Sequence, residues 1–325
     1  MRYRHISVMV KEVIDYLDCS PGKTYVDGTL GGGGHAQAIL RAIGPAGYLI
    51  GVDQDPVAVA FAREALQQYK SNVRIFHANF TELPEILSRL HTTGVDGILL
   101  DLGLSLYQLE RSMRGFSFMR EETLDMRMNP EKGKPAEVLV NRLSEKELAT
   151  LIARYGEERW AGRIARSIVR ERLQGAIRSS LHLAEVVKKA IPARYRSRRI
   201  HPATRTFQAL RIEVNQELRS LRIFLEGALG LLNMGGRLCI ISFHSLEDRM
   251  VKRHFRALAR GCECPRDFPR CVCGKRPQVR ILTKRPVQPD SAEVMANPMS
   301  RSAKLRAVER IEGGTNEKSR VYHGA

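Results

Sequence analysis

The segment Thr24-Tyr-Val-Asp-Gly-Thr-Leu-Gly-Gly-Gly-Gly-His35 constrains this chain more than any other. A short apolar run, Thr24–Asp27, breaks into a glycine-rich turn, and a helix is expected over Ala36–Ala42. Glycine lets the backbone approach a ligand closely, and a helix opening after such a turn aims its first amides at that ligand. The next apolar run, Tyr48–Asp53, ends on an acid whose carboxylate can accept both hydroxyls of a ribose. Turn, strand and acid in register describe a nucleoside-bearing cofactor on an α/β fold. The competing reading is a plain tight turn with a capping aspartate.

Val73–His77 and Gly97–Asp101 read as third and fourth strands, and Asp55-Pro56 as a helix start. Alternating strands and amphipathic stretches imply βαβ units around a parallel sheet. The pattern then changes. Arg111–Met128 has no clear period and is expected to be an ordered loop, whereas Pro135 to about Leu210 is helical in periodicity. There Trp160, Ile164 and Ile168 recur at four-residue steps beside a stripe of Arg159, Arg163, Arg166 and Arg170. Gly235–Ser242 returns to a buried-strand pattern, and Val279–Leu282 is a further strand candidate. The expected organisation is a first α/β part at 1–110, an inserted helical domain at 111–215 and a second α/β part at 216–325.

No apolar run approaches the ~18 residues of a membrane span. The start, Met1 to Lys11, lacks the apolar core of a secretory signal, so a cytoplasmic protein is expected. The formal charge of +18 favours polyanions, nucleic acid before acidic lipid. Its distribution is local: Arg154–Arg211 holds fifteen Lys and Arg against four acids. That is a patch, and with Arg194, Arg196, Arg198 and Arg199 it is expected to track phosphates.

A dinucleotide fold and a methyltransferase fold share this first half. The dinucleotide glycine spacing fits poorly, with Thr29 two residues before Gly31, and no phosphate-cradling G-x-x-x-x-G-K-[ST] is present. The fourth strand separates the two. It runs into Asp101-Leu-Gly-Leu-Ser105, a carboxylate followed by a small-residue loop. Methylating an exocyclic amine calls for acceptors of its hydrogens, because the nitrogen lone pair is delocalised into the ring. Asp101 could supply one, with Ser105 beside it as second catalytic candidate, or Asp101 could merely cap the next element.

At this point a resemblance becomes specific. The chain resembles the RsmH (MraW) family of bacterial small-subunit ribosomal RNA cytosine-N4 methyltransferases. The matching pieces are His5-Ile-Ser-Val-Met9, Asp27 to His35, Asp101-Leu-Gly, Arg114-Gly-Phe-Ser-Phe118 and Leu124-Asp-Met-Arg-Met128. His201 to Asn215, Ile241 to Arg249, Asn297-Pro and Ser302 to Arg306 continue the series. The resemblance implies a class I S-adenosylmethionine-dependent, Rossmann-like α/β fold with an inserted all-helical domain. It also implies S-adenosylmethionine contacts at Gly33, Gly34, His35, Asp53, Phe80, Asp101 and Gln108, with 16S ribosomal RNA of the small subunit as partner, methylated near the decoding centre. The family pattern Ser-Pro-Gln-Leu-Asp is replaced here by Leu106-Tyr-Gln-Leu-Glu110, which removes a hydroxyl beside the expected chemistry.

A cytosine in folded RNA must be splayed out, and flipped bases are held by stacking. Phe116, Phe118, Ser242, Phe243 and His244 are candidates for that pocket, with Asp125 and Arg127 as base or backbone contacts. Cys262, Cys264, Cys271 and Cys273 could close around a structural zinc ion, against thiols or disulfides. Rival functions remain at this stage: an amine methyltransferase on DNA or protein, an RNA-binding assembly factor without turnover, or, more distantly, a nicotinamide dehydrogenase.

Overall fold

The computed structural model describes residues 7–196, 201–261, 264, 268 and 272–312. Among the described residues two compact units divide the chain, one within 7–53, 57–103 and 221–312, the other within 54–56 and 104–220. The second unit takes in three residues that follow the second strand.

In the first unit, strands β1 (Thr24–Asp27), β2 (Tyr48–Asp53), β3 (Val73–His77), β4 (Val95–Asp101), β5 (Leu232–Ser242), β6 (Val279–Ile281) and β7 (Lys304–Arg310) form one sheet. Their order is β3-β2-β1-β4-β5-β7-β6. The pairs from β3 to β5 are parallel, and β7 runs antiparallel to both β5 and β6. This is the sheet that the resemblance leads one to expect. Helices across the chain are α1 (Val10–Leu17), α2 (Gly34–Ile43), α3 (Pro56–Ala65), α4 (Leu83–Arg89), α5 (Leu106–Glu110), α6 (Ala136–Arg142) and α7 (Glu145–Gly156). They continue as α8 (Ala161–Arg172), α9 (Ser180–Ala190), α10 (Thr204–Val214), α11 (Glu217–Ala228), α12 (Ser245–Leu258) and α13 (Ser291–Ala296).

Side chains alternate across a strand, so the central strands feed two cores. Tyr25, Leu49, Leu99 and Ile241 pack with Val13, Leu17, Ile39 and Ile43 of α1 and α2. Val26, Ile50, Leu100 and Ile240 pack with Leu83 and Ile86 of α4, Phe224 of α11 and Phe255 of α12. With both faces covered, the open edge of the sheet is its carboxyl end. The strand order reverses between β1 and β4, and ligands of open α/β sheets bind at such a switch point.

In the helical unit, Leu148 and Ile152 of α7, Ile164 and Ile168 of α8, Leu183 and Val187 of α9, and Phe207 and Leu210 of α10 form one core. The four-residue spacing in the sequence is the inward stripe of α8. Ser144 caps α7 in a reciprocal box with Glu147, which fixes where the helix starts. Residues 111–135 form neither helix nor named strand. Arg114 orders them by donating to the Arg127 carbonyl (3.0 Å) and the Met128 carbonyl (2.8 Å). Asn215, ending α10, accepts from the Met128 amide (2.7 Å) and donates to the Met126 carbonyl (2.8 Å).

Candidate active site

Three acids stand at the carboxyl ends of adjacent strands in the α/β unit: Asp27 on β1, Asp53 on β2 and Asp101 on β4. The turn after β1 winds among them. Gly28 donates to the Leu99 carbonyl (2.9 Å), and the Asp101 amide donates to Thr29 Oγ1 (2.6 Å). Gly31 donates to Asp53 Oδ2 at 2.7 Å. Gly33 turns the chain into α2 with φ +82°, a left-handed conformation that favours glycine. At Gly28 a Cβ would lie 2.5 Å from Leu100 Cδ2 and 3.3 Å from Phe80 Cβ, so any larger residue must displace Leu100. Phe80, nearly buried, meets Phe224 edge to face at 5.6 Å.

His35 opens α2 and is buried. Its Nε2 lies 2.8 Å from the Val8 carbonyl, so the neutral ring carries its proton there. Its Nδ1 faces Asp101 Oδ2 at 3.7 Å. Asp27 Oδ1 accepts from the Thr29 amide (3.2 Å), whereas Asp27 Oδ2 and Asp101 Oδ1 are buried with no hydrogen-bond partner. Burial pushes the Asp27 carboxyl up to about 7, against the opposing pull of His35 and the Thr29 amide. Burial, and then the charge of Glu247, pushes Asp101 up to about 7 as well. Burial holds His35 below its ordinary value, keeping the ring neutral. Two carboxyls with unanswered oxygens are the signature of a site built for a cationic or hydrogen-bond-donating ligand.

S-adenosylmethionine fits that chemistry. It carries a sulfonium and an ammonium for the carboxylates, a ribose for Asp53, and an adenine that Phe80 could flank. Gly33, Gly34, His35, Asp53, Phe80 and Asp101 are thus brought together in one unit. Asp27 belongs with them, although the sequence reading passed over it as part of the glycine motif. A strand-terminal acid directly before a glycine turn was the available signal.

Gln108 and Ser105 lie in the helical unit, and both are engaged. Ser105 caps α5 by accepting from the Gln108 amide (3.1 Å), and Gln108 Oε1 accepts from the Ser105 amide (3.0 Å). Gln108 Nε2 donates to the buried Asp55 (2.9 Å), which also takes Arg114 at 2.5 Å. Asp55 is therefore the anchor of the ordered loop. Sequence reasoning gave it a capping role only.

The candidate base-pocket residues are divided between the two units. Phe116 is core in the helical unit, whereas Phe118 is half-buried and stacks on His201 at 4.6 Å with 18° between planes. Asp125 and Arg127 bind one another in a forked pair at 2.7 and 2.8 Å. In the α/β unit, Ser242 is buried and donates to the Lys304 carbonyl (3.3 Å), while His244 caps α12, with Glu247 accepting from its amide (3.3 Å). Both have structural employment. Arg159 just before α8 and Arg163, Arg166 and Arg170 along it are exposed, and among the described residues only Arg166 of these has an ion pair, with Glu145 at 3.3 Å. Arg198, Arg199, Cys262 and Cys271 lie outside the described residues. Cys264 accepts from the Val272 amide at 3.4 Å.

The sequence model of the MraW methylase family matches residues 2–311. The ribosomal RNA small subunit methyltransferase H of Desulforapulum autotrophicum is 55% identical over 312 residues, which is 96% of this chain and 100% of that protein. The protein of the same name from Geobacter sulfurreducens is 55% identical over 311 residues, 96% of this chain and 100% of its own. That of Citrifermentans bemidjiense is 53% identical over 309 residues, 95% and 99% respectively.

Proposed function

The chain belongs to the MraW methylase family and is an S-adenosylmethionine-dependent methyltransferase of small-subunit ribosomal RNA, and we propose that its acceptor is the exocyclic N4 of a cytidine near the decoding centre. The observation that carries the amine acceptor is Asp101, which ends β4 with its Oδ1 buried and unanswered. When bound, S-adenosylmethionine supplies an electrophilic methyl group on its sulfonium. Asp27 and Asp101 would neutralise the cofactor's positive charge, Asp53 would hold the ribose, and Phe80 would flank the adenine. Asp101 would accept an N4 hydrogen, favouring a pyramidal nitrogen whose lone pair is free to attack. Ser105 retains a hydroxyl hydrogen to offer, because its oxygen is the accepting partner in the cap. The proton lost from N4 can leave to water, so no dedicated base is required. Leu106, where the family has a serine, leaves Asp101 as the principal acceptor.

The exposed arginines of α8 would neutralise phosphates of the RNA. The four cysteines are proposed to hold a structural zinc ion, a reading that rests on their spacing alone; metal analysis of the purified protein tests it.

Methyl transfer from labelled S-adenosylmethionine, with nucleoside analysis of the product, tests the acceptor. Unmodified small subunits, naked ribosomal RNA and DNA are offered in parallel. Label in N4-methylcytidine from the small subunits is the expected result. Label in another nucleoside, or only in DNA, overturns it.

A further inference from the structure

We propose that a cavity within the helical unit, walled by Trp160, Tyr195 and His201, receives one unstacked nucleotide of the RNA other than the one methylated. The proposal rests on the ribosomal RNA reading above for its ligand, and on the cavity for its site.

The cavity has a volume of ≈ 360 Å³, in the range of small-molecule sites. Its walls are aromatic and cationic at once. The rings of Trp160 and Tyr195 lie 5.2 Å apart at 41°. Arg159 reaches over both, its Cζ 5.1 Å from the Trp160 centroid and 4.9 Å from that of Tyr195. Arg196 and Arg205 also line the space. Flat rings and guanidinium planes are what stack on unpaired bases, and the arginines suit the attached phosphate.

Hydrogen-bonding chemistry favours a base over a bare anion. Trp160 Nε1 is buried with no partner, a donor whose desolvation nothing in the protein offsets. His201 Nδ1 accepts from the Ala203 amide at 3.2 Å, so the neutral ring holds its proton on Nε2. Partial burial and Lys188 hold His201 below its ordinary value, keeping that tautomer. His201, on the cavity wall, therefore offers an N–H donor to the acceptor atoms of a base edge.

The same inventory argues against methylation here. The one buried carboxylate, Glu158, already accepts from the Trp160 amide (2.9 Å) and faces Arg205 at 3.9 Å. Unlike Asp101, whose Oδ1 is unanswered, Glu158 has both oxygens turned to partners. The cavity anchors; it does not transform.

Trp160 is the only tryptophan in the chain, so intrinsic fluorescence reports on this cavity directly. The full-length protein is titrated with each of the four ribonucleoside 5′-monophosphates, ribose 5-phosphate and inorganic phosphate at constant ionic strength. At least one nucleotide is expected to quench saturably, with the two phosphate controls leaving the signal unchanged. Tyr195→Ala is expected to weaken that nucleotide about fivefold or more, from the usual contribution of base stacking. It should also weaken small-subunit RNA without altering the salt dependence or the affinity for S-adenosylmethionine. Equal quenching by inorganic phosphate would reduce the cavity to an anion site and overturn the proposal. So would absence of saturable quenching by every nucleotide, or RNA affinity indifferent to Tyr195→Ala in a folded variant. Nucleotide quenching requires no methyl transfer, so a wrong acceptor assignment and a wrong cavity assignment give different results.

Discussion

His35 Nδ1 faces Asp101 Oδ2 across 3.7 Å, while Nε2 of the same ring is fixed 2.8 Å from the Val8 carbonyl. The ring thus presents a lone pair, not a proton, to a carboxyl that burial has raised to about 7. Asp101 and Asp27 share this predicament, each with one oxygen unanswered.

Cofactor binding is therefore expected to release protons. A cation favours the ionised carboxyls, which lie at about 7 before binding. Affinity for S-adenosylmethionine should rise from pH 5.5 to about pH 8 and then level off. Calorimetry in two buffers of different ionisation enthalpy counts the protons. A pH-independent affinity across that window contradicts the assignment.

The cofactor-free protein should show the opposite trend in stability. Both carboxyls bind their proton more tightly when folded, near 7 against the ordinary 3.8. Their stabilising effect is complete below the unfolded value and is lost as pH climbs through 7. Thermal midpoints should fall between pH 5 and 8, and Asp27→Asn should flatten the fall. Saturating cofactor should oppose it.

Gly28→Ala places a methyl against Leu100, a side chain with no exposure in the centre of the sheet. A loss of roughly 1–3 kcal/mol in chemical denaturation is expected from overpacking. Cofactor affinity should fall too, because Phe80 is the next atom in the way. An alanine variant with undiminished affinity would mean the turn does not frame the cofactor.

Arg114→Ala strips the buried Asp55 of its cation and frees the loop carbonyls that Arg114 holds. Breaking such a pair from one side costs about 3–5 kcal/mol. Asp55→Asn keeps an acceptor for Arg114 without a charge and should cost less. Equal unfolding midpoints for wild type and Arg114→Ala would remove the loop anchor from the account.

The exposed arginines of α8 predict a steep salt dependence for RNA binding. About six neutralised phosphates give a log–log slope near −4 to −5. Arg170→Ala should weaken RNA of any sequence and reduce the slope by about 1. Unchanged slope on losing both Arg163 and Arg170 would make the stripe a solvated face.

The parallel half of the sheet was legible because each strand is a self-contained apolar run. Thr24–Asp27, Tyr48–Asp53 and Val73–His77 appear at the bounds the sequence suggests. Strand β7 was not foreseen, and its alternation of Lys, Leu, Arg, Ala, Val, Glu and Arg shows why. Arg306 looks solvated in sequence but is nearly buried, held by Asp248 of α12 at 2.7 Å. The membership of residues 54–56 in the helical unit was not foreseen for a related reason. Asp55 is bound to Gln108 and Arg114, and no local pattern announces partners more than fifty residues away. Glycine turn and strand-end acids were readable as a cofactor site; the unanswered oxygens of Asp27 and Asp101 required coordinates.

Strands β4 and β5 are neighbours in the sheet but stand roughly 130 residues apart in the chain. Were the intervening stretch random coil, closing it would cost about 2 kcal/mol more than a ~15-residue crossover, by the logarithmic growth of loop entropy. A stretch already folded into its own core presents two fixed ends and escapes most of that penalty. The route of least entropy therefore has an order: the helices condense first, and β5 docks beside β4 afterwards. Refolding should show two phases, the faster reported by Trp160 and the slower by recovery of cofactor binding.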